Sequence, residues 1–179
     1  MTLADTRTDG YRAMTEGAAL VDRSERGKLA LTGADAKDFL QGQVTNDVVA
    51  LRPGEGCYAA FLTHKGKMLG DLRVLDAGEE LLLDCERVAL QELFTLIRRF
   101  KLGRDVELHK RTLERGLQSL VGPAARAVAG APVRLIVTDV GVDVLCDVAD
   151  TERIAAALAA AGAVPASEDA AEDRERRWG

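Results

Sequence analysis

Apolar and polar positions alternate over Lys28 to Leu31, which predicts a strand, and Thr32-Gly33 then opens a helix from about Ala34 to Gln43. Before them, Tyr11 to Val21 reads as a short entry helix running into a strand. Gly56 to Leu62, Lys67 to Leu75 and Glu80 to Cys85 form the pattern of a three-stranded meander. Its connections, Thr63 to Gly66 and Asp76-Ala77-Gly78, are short and carry the glycines that hairpins require. Leu90, Leu93, Phe94, Ile97 and Phe100 recur at spacings of three and four, so Val88 to Lys101 is expected to be an amphipathic helix with one buried face. Asp105 to His109 follows as a strand.

After Arg115 the pattern starts again. Leu117 to Val121 is a strand, Gly122-Pro123 opens a helix, Val133 to Val137 and Val142 to Cys146 are strands, and Ile154 to Ala161 is an alanine-rich helix. Leu31-Thr32-Gly33-Ala34-Asp35-Ala36 and Leu120-Val121-Gly122-Pro123-Ala124-Ala125 open the two halves alike. The expected fold class is therefore α+β: two pseudo-repeated ferredoxin-like β-α-β-β-α-β units with mostly antiparallel sheets. The expected division is 1–112 for the first unit, 113–165 for the second and 166–179 for a helical tail, with β character lost from Ala163 to Gly179. In that tail Ser167 caps a short helix that ends near Arg174, Arg176 and Arg177.

Composition changes this picture little. The 179 residues are 47% hydrophobic and 30% charged, ordinary for a globular protein with a real core. A net charge of -5 argues against a protein whose main task is gripping a nucleic acid backbone. No run of apolar residues is long enough to span a membrane, and the N-terminus lacks the pattern of a signal peptide. Cys57, Cys85 and Cys146 are odd in number and far apart, which suits a reducing cytoplasm better than a disulfide scaffold. With His64 and His109 the only histidines, no ligand set has metal-site spacing and no metal is expected.

Asp71 is the residue with the strongest claim to chemistry, because it places a carboxylate inside an otherwise apolar strand. Either it serves a ligand, or it points outward on a half-exposed strand where alternation permits polar residues. Tyr58 offers an aromatic face to a flat ring and is equally a good strand residue. His64-Lys65-Gly66-Lys67 makes a basic hairpin tip, and Arg98, Arg99, Lys101, Arg104, Lys110 and Arg111 a second basic stretch that reads first as a solvated face. Asn46 and Asp47 read first as backbone anchors of a turn. Cys57 reads as a small strand hydrophobe rather than a nucleophile.

Three segments taken together, Thr45-Asn46-Asp47-Val48, Leu51-Arg52-Pro53-Gly54-Glu55-Gly56-Cys57-Tyr58 and Thr63-His64-Lys65-Gly66-Lys67-Met68-Leu69-Gly70-Asp71-Leu72, carry a resemblance. Their order resembles the folate-binding part of the glycine cleavage T-protein (aminomethyltransferase) superfamily. The likeness is closest to its YgfZ-like branch, the folate-dependent iron–sulfur assembly factors. The resemblance implies tetrahydrofolate or a derivative as cofactor, with Asp71 as the catalytic, pterin-proximal acid. Such a carboxylate could hold a proton or stabilise positive charge developing on an iminium-like intermediate. It further implies that Tyr58 lines the folate cavity, that Asp84 reaches the pterin edge and that Asn46 belongs to a Thr-Asn-Asp element; the basic hairpin tip with Lys65 could receive a folate's glutamate tail, or RNA.

Two departures qualify the resemblance. The family's aspartate pair is reduced here to Asp71, with Gly70 at the first position, and Thr138 to Asp143 stands where a transferase would carry its second folate loop. The expected function is therefore folate binding in the service of iron–sulfur cluster assembly, on a shortened chain without the branch's signature cysteine. A tetrahydrofolate-dependent aminomethyltransferase and a non-catalytic folate-binding module are the alternatives. Expected partners are folate, iron–sulfur client proteins and a second copy or partner chain. The last would cover an apolar sheet face formed by Val133 to Val137 and Val142 to Val148.

Overall fold

A computed structural model describes residues 3–63, 65–129 and 134–171 and is a mixed α+β fold with two five-stranded sheets. In chain order the elements are α1 (Leu3–Glu16), β1 (Ala19–Asp22), β2 (Gly27–Thr32), α2 (Ala36–Gln41), β3 (Gly56–Leu62), β4 (Met68–Asp76) and β5 (Leu81–Cys85). They continue with α3 (Leu90–Phe100), β6 (Glu107–Lys110), β7 (Arg115–Val121), α4 (Ala125–Ala129), β8 (Arg134–Val137), β9 (Gly141–Asp147), α5 (Thr151–Ala160) and β10 (Val164–Ala166). Two compact units result, one of Glu25–Leu113 and one that joins Met1–Ser24 to Glu114–Gly179.

The continuous unit holds the sheet β3-β4-β5-β2-β6, antiparallel throughout. One face carries Leu29, Leu31, Ala59, Phe61, Leu72, Val74, Leu81 and Leu83, and these pack with Phe39 and Leu40 of α2 and Leu93 and Ile97 of α3. The predicted stripe on α3 is thus real: burying Leu93 and Ile97 contributes about 1.5–3 kcal/mol each. Phe100, the last residue of that helix, leaves the stripe and stays 41% exposed. The Lys110 ammonium lies 4.6 Å from the centre of the Phe94 ring.

The discontinuous unit holds the sheet β10-β1-β7-β9-β8, in which only the β1–β10 pairing is parallel. The expected β-α-β-β-α-β order is present twice, each time with one strand added. It runs β2-α2-β4-β5-α3-β6 with β3 outside it, and β7-α4-β8-β9-α5-β10 with β1 inserted between its first and last strands.

Three expectations need correction here. The division at residue 112 assigned the opening residues to the first unit, but β1 pairs with β7 and β10 and draws them into the second. The segment after Ala163 does contain β structure, the strand β10. Its central Pro165 removes an amide donor, a loss that an edge strand tolerates. The sheet face expected to lie bare is covered, since Val142 and Val144 pack with Leu20, Leu120, Ala125, Ile154 and Leu158 under α4 and α5. Ile136 and Leu145 are buried as well, while Val148 stays 48% exposed. Val133, His64 and the basic end of the tail, Arg174, Arg176 and Arg177, lie outside the described residues.

The six-position repeat has a backbone cause. Gly33 and Gly122 both end a strand with positive φ, 106° and 126°, and in each case the amide three residues on bonds back to the glycine carbonyl, Ala36 at 3.2 Å and Ala125 at 3.1 Å. A β-carbon at Gly33 would stand 2.3 Å from the Asp105 carbonyl oxygen. Gly33→Ala is therefore expected to destabilise the protein by about 1–3 kcal/mol, read as a lower urea midpoint. An unchanged midpoint would mean that the turn re-forms another way.

Candidate functional site

The hairpin β3–β4 assembles the centre of the site. Its register sets Tyr58 opposite Arg73 and Ala60 opposite Asp71, which makes Tyr58 and Asp71 diagonal neighbours on one sheet face. The Tyr58 hydroxyl donates to Asp71 Oδ2 at 2.6 Å. Tyr58 keeps 51% of its surface exposed, so the ring offers a flat face beside a carboxylate. A register shift between Phe61 and Leu62 interrupts the alternation counted from Met68, yet Leu72 still enters the core while Asp71 turns away from it.

Gly70 points the other way. A β-carbon there would lie 3.8 Å from Ala89 Cβ and 4.0 Å from Leu93 Cδ1, on the side of α3. An aspartate at 70 would not share the face of Asp71, because successive strand residues project oppositely.

Asn46 approaches Tyr58 from behind. Its Nδ2 donates to the Tyr58 carbonyl at 2.8 Å, its Oδ1 accepts from the Asp47 amide at 2.8 Å, and Asp47 Oδ1 accepts from the Ala50 amide at 3.2 Å. These contacts serve the backbone, as turn chemistry suggested. Lys65 sits at the exposed hairpin tip, where the Thr63 hydroxyl accepts from the amides of Lys65 and Lys67 and Gly66 takes a φ of 75°. From Asp71 to the start of β4 at Met68 is about 10 Å of strand, so Lys65 stands well above the Tyr58–Asp71 pair.

Asp84 lies on the same sheet face, beside Arg73 and Lys28 in register, and is fully buried. Its Oδ2 accepts from Arg73 Nε at 3.0 Å and Nη2 at 2.8 Å, and from Arg26 Nε at 2.9 Å. Burial pushes this carboxyl up, but the charges of Arg73, Arg26 and Lys28 and the hydrogen bond from Arg73 outweigh it and hold the group below its ordinary value. Asp84 is thus the hub of an ion cluster that engages Oδ2, while its buried Oδ1 has no hydrogen-bond partner among the described residues. Sequence reasoning missed Arg26, Lys28 and Arg73; the position of Arg73, two residues beyond Asp71 on β4, was the available signal.

Two cysteines lie near this arrangement in sequence, Cys57 beside Tyr58 and Cys85 beside Asp84. Burial, with the charge of Asp84 adding to it, pushes the Cys85 thiol up to about 12. Cys57 is half-buried against the core. A surface depression of about 390 Å³ lies elsewhere, lined by Arg12, Ala13, Glu16, Gly17, Ala18, Gly162 and Val164, none of them a candidate site residue.

Comparison with known proteins places the chain in a family. Residues 2–162 match the family described as GCVT N-terminal domain. The chain belongs to that family, the N-terminal domain of the glycine cleavage T-protein superfamily. Among curated relatives, an aminomethyltransferase of Chloroherpeton thalassium is 31% identical over 136 residues, covering 75% of this chain and 36% of the relative. One of Bacillus subtilis is 30% identical over 119 residues, covering 66% and 33%. The chain therefore spans about a third of the length of these relatives. A crystal structure of the glycine cleavage system aminomethyltransferase T from Bartonella henselae superposes with a TM-score of 0.72 at 20% identity, over 90% of this chain and 50% of that one. A chain of the heterotetrameric sarcosine oxidase from Corynebacterium sp. U-96 gives 0.54 at 18% identity, over 88% and 91%. These two likenesses concern the fold.

Proposed function

We propose that this chain supplies the folate-binding surface of a tetrahydrofolate-dependent, aminomethyltransferase-like protein. The observation that carries the reading is the 2.6 Å bond from the exposed Tyr58 to Asp71. It fixes an aromatic face and a carboxylate side by side, where the one can stack on a pterin or aminobenzoyl ring and the other can meet a folate nitrogen. Asp71 would hold a proton or offset positive charge at that nitrogen, and Tyr58 would orient the carboxylate. Asn46 supports Tyr58, Lys65 offers a charge to a glutamate tail further up the hairpin, and Asp84 acts from the interior through Arg73.

Relatives named aminomethyltransferase favour this reading over iron–sulfur cluster assembly. Gly70, the departure from the family's aspartate pair, turns toward α3 and away from Asp71. Thr138 to Asp143, which had favoured the iron–sulfur branch, spans the tight connection from β8 to β9, with the Thr138 amide bonded to the Gly141 carbonyl at 3.0 Å.

Titration calorimetry with folinic acid, a stable reduced folate, tests the proposal. Saturable binding is expected with a dissociation constant of roughly 0.1–1 mM, weak because an open sheet face buries less ligand than the 70–90% of an enclosed pocket. Absence of heat, and of competition by tetrahydrofolate, up to several millimolar would sink it.

A further inference from the structure

We propose that Asn46 is a positioning residue, which sets the Tyr58 phenol on Asp71 by holding the backbone of Tyr58. This inference deepens the folate reading and rests on it for its consequence, though not for its geometry. The strand β3 lies at the edge of its sheet, so the backbone groups on its outer side need partners from outside the ladder. They find them in 43–46, a segment that is not itself a strand. The Leu62 amide donates to the Gln43 carbonyl at 3.1 Å, and the Thr45 amide to the Ala60 carbonyl at 3.1 Å. The Ala60 amide donates to the Thr45 hydroxyl at 2.9 Å, and Asn46 Nδ2 to the Tyr58 carbonyl at 2.8 Å.

The contacts fall on every second residue, 62, 60 and 58, as the outward side of a strand requires. Main chain serves the first, main chain and a hydroxyl the second, and a side-chain amide the third. Asn46 therefore clamps the outer edge at the residue that carries the phenol. The amide is held at both ends, since Oδ1 accepts from the Asp47 amide at 2.8 Å while Nδ2 reaches Tyr58. Aspartate would keep the first bond and lose the second, because a carboxylate has no donor. Without the clamp, Tyr58 loses the bond that holds its backbone at the outer edge, and the phenol samples positions off Asp71.

The experiment uses protein carrying tyrosine labelled with 13C at Cζ, a position sensitive to the phenol's hydrogen bond. Tyr11 and Tyr58 are the two signals, assigned through Tyr58→Phe. In the free protein, Asn46→Asp is expected to move the Tyr58 signal toward the position it takes in Asp71→Ala. With folinic acid, Asn46→Asp is expected to weaken binding about 3- to 10-fold, and the double variant with Tyr58→Phe to bind no more weakly than Tyr58→Phe alone. A Tyr58 signal that stays at its wild-type position overturns the proposal, even if affinity falls, because Asn46 would then touch the ligand itself. If the wild type takes up no folinic acid, the functional reading fails while the signal still decides the positioning role. Should Asn46→Asp not fold, scalar coupling across the bond from Asn46 Nδ2 to the Tyr58 carbonyl is measured in the wild type, and its absence overturns the proposal.

Discussion

Asp84→Asn is expected to destabilise the protein by about 3–5 kcal/mol, the cost of removing one partner from a buried ion cluster. The two guanidinium groups of Arg73 and Arg26 converge on one oxygen of Asp84, and the Lys28 ammonium is near enough to act on it. Asparagine keeps the shape and an acceptor but removes the charge that these buried cations face. The loss reads as a lower urea midpoint with an unchanged slope. The pH dependence follows from the depressed carboxyl. Stability contributed by Asp84 is fully present above its ordinary value near 3.8 and disappears as pH falls through the lower value of the folded state. The gap between wild type and Asp84→Asn should therefore be constant near neutrality and close in strong acid. A gap that widens as pH falls would contradict the assignment of Asp84 as an ionised hub.

Asp71→Asn should do the opposite, sparing the fold and impairing the ligand. Asp71 is half-buried and its side chain faces away from the apolar core, so an amide that still accepts the Tyr58 hydroxyl should shift stability by less than about 0.5 kcal/mol. A carboxylate bonded to a folate nitrogen is worth about 1.5–3 kcal/mol as a hydrogen bond to a charged group, so affinity for folinic acid should fall roughly 10- to 100-fold. Calorimetric titration of Asp71→Asn beside the wild type, with thermal unfolding of both, checks the pair of outcomes. Equal affinities would make Asp71 a structural residue.

What could be read from the chain follows the range of the interactions. The stripe on α3 and the meander β3–β4–β5 were legible because their periodicity and turn residues lie within short windows. The repeat at Gly33 and Gly122 was legible because each turn needs a backbone that only glycine adopts easily. β10 was not, since three residues around Pro165 carry no alternation and exist as a strand only because β1 offers an edge. The pairing of Leu20 with Leu120 is invisible to any local pattern. Within the site, Tyr58 and Asp71 were singled out, but their bond depends on the register of the hairpin. The burial of Asp84 against arginines was hidden for a related reason. A lone carboxylate in a strand looks the same whether it faces a ligand or a buried pair of arginines, and Arg26 and Arg73 come from two other segments.

The interleaving of the two units bears on how the chain emerges during synthesis. Residues 25–113 are contiguous, so every strand of β3-β4-β5-β2-β6 is available once that stretch has left the ribosome. β1 is made earlier but lies between β7 and β10, and its sheet cannot close until Ala166 has appeared. Of the two units, the one whose β1 is made before the other's strands is thus the one whose sheet closes after them. Until then, Leu20 and Val21, destined to be almost wholly enclosed, must wait without their strand partners while the inserted unit forms.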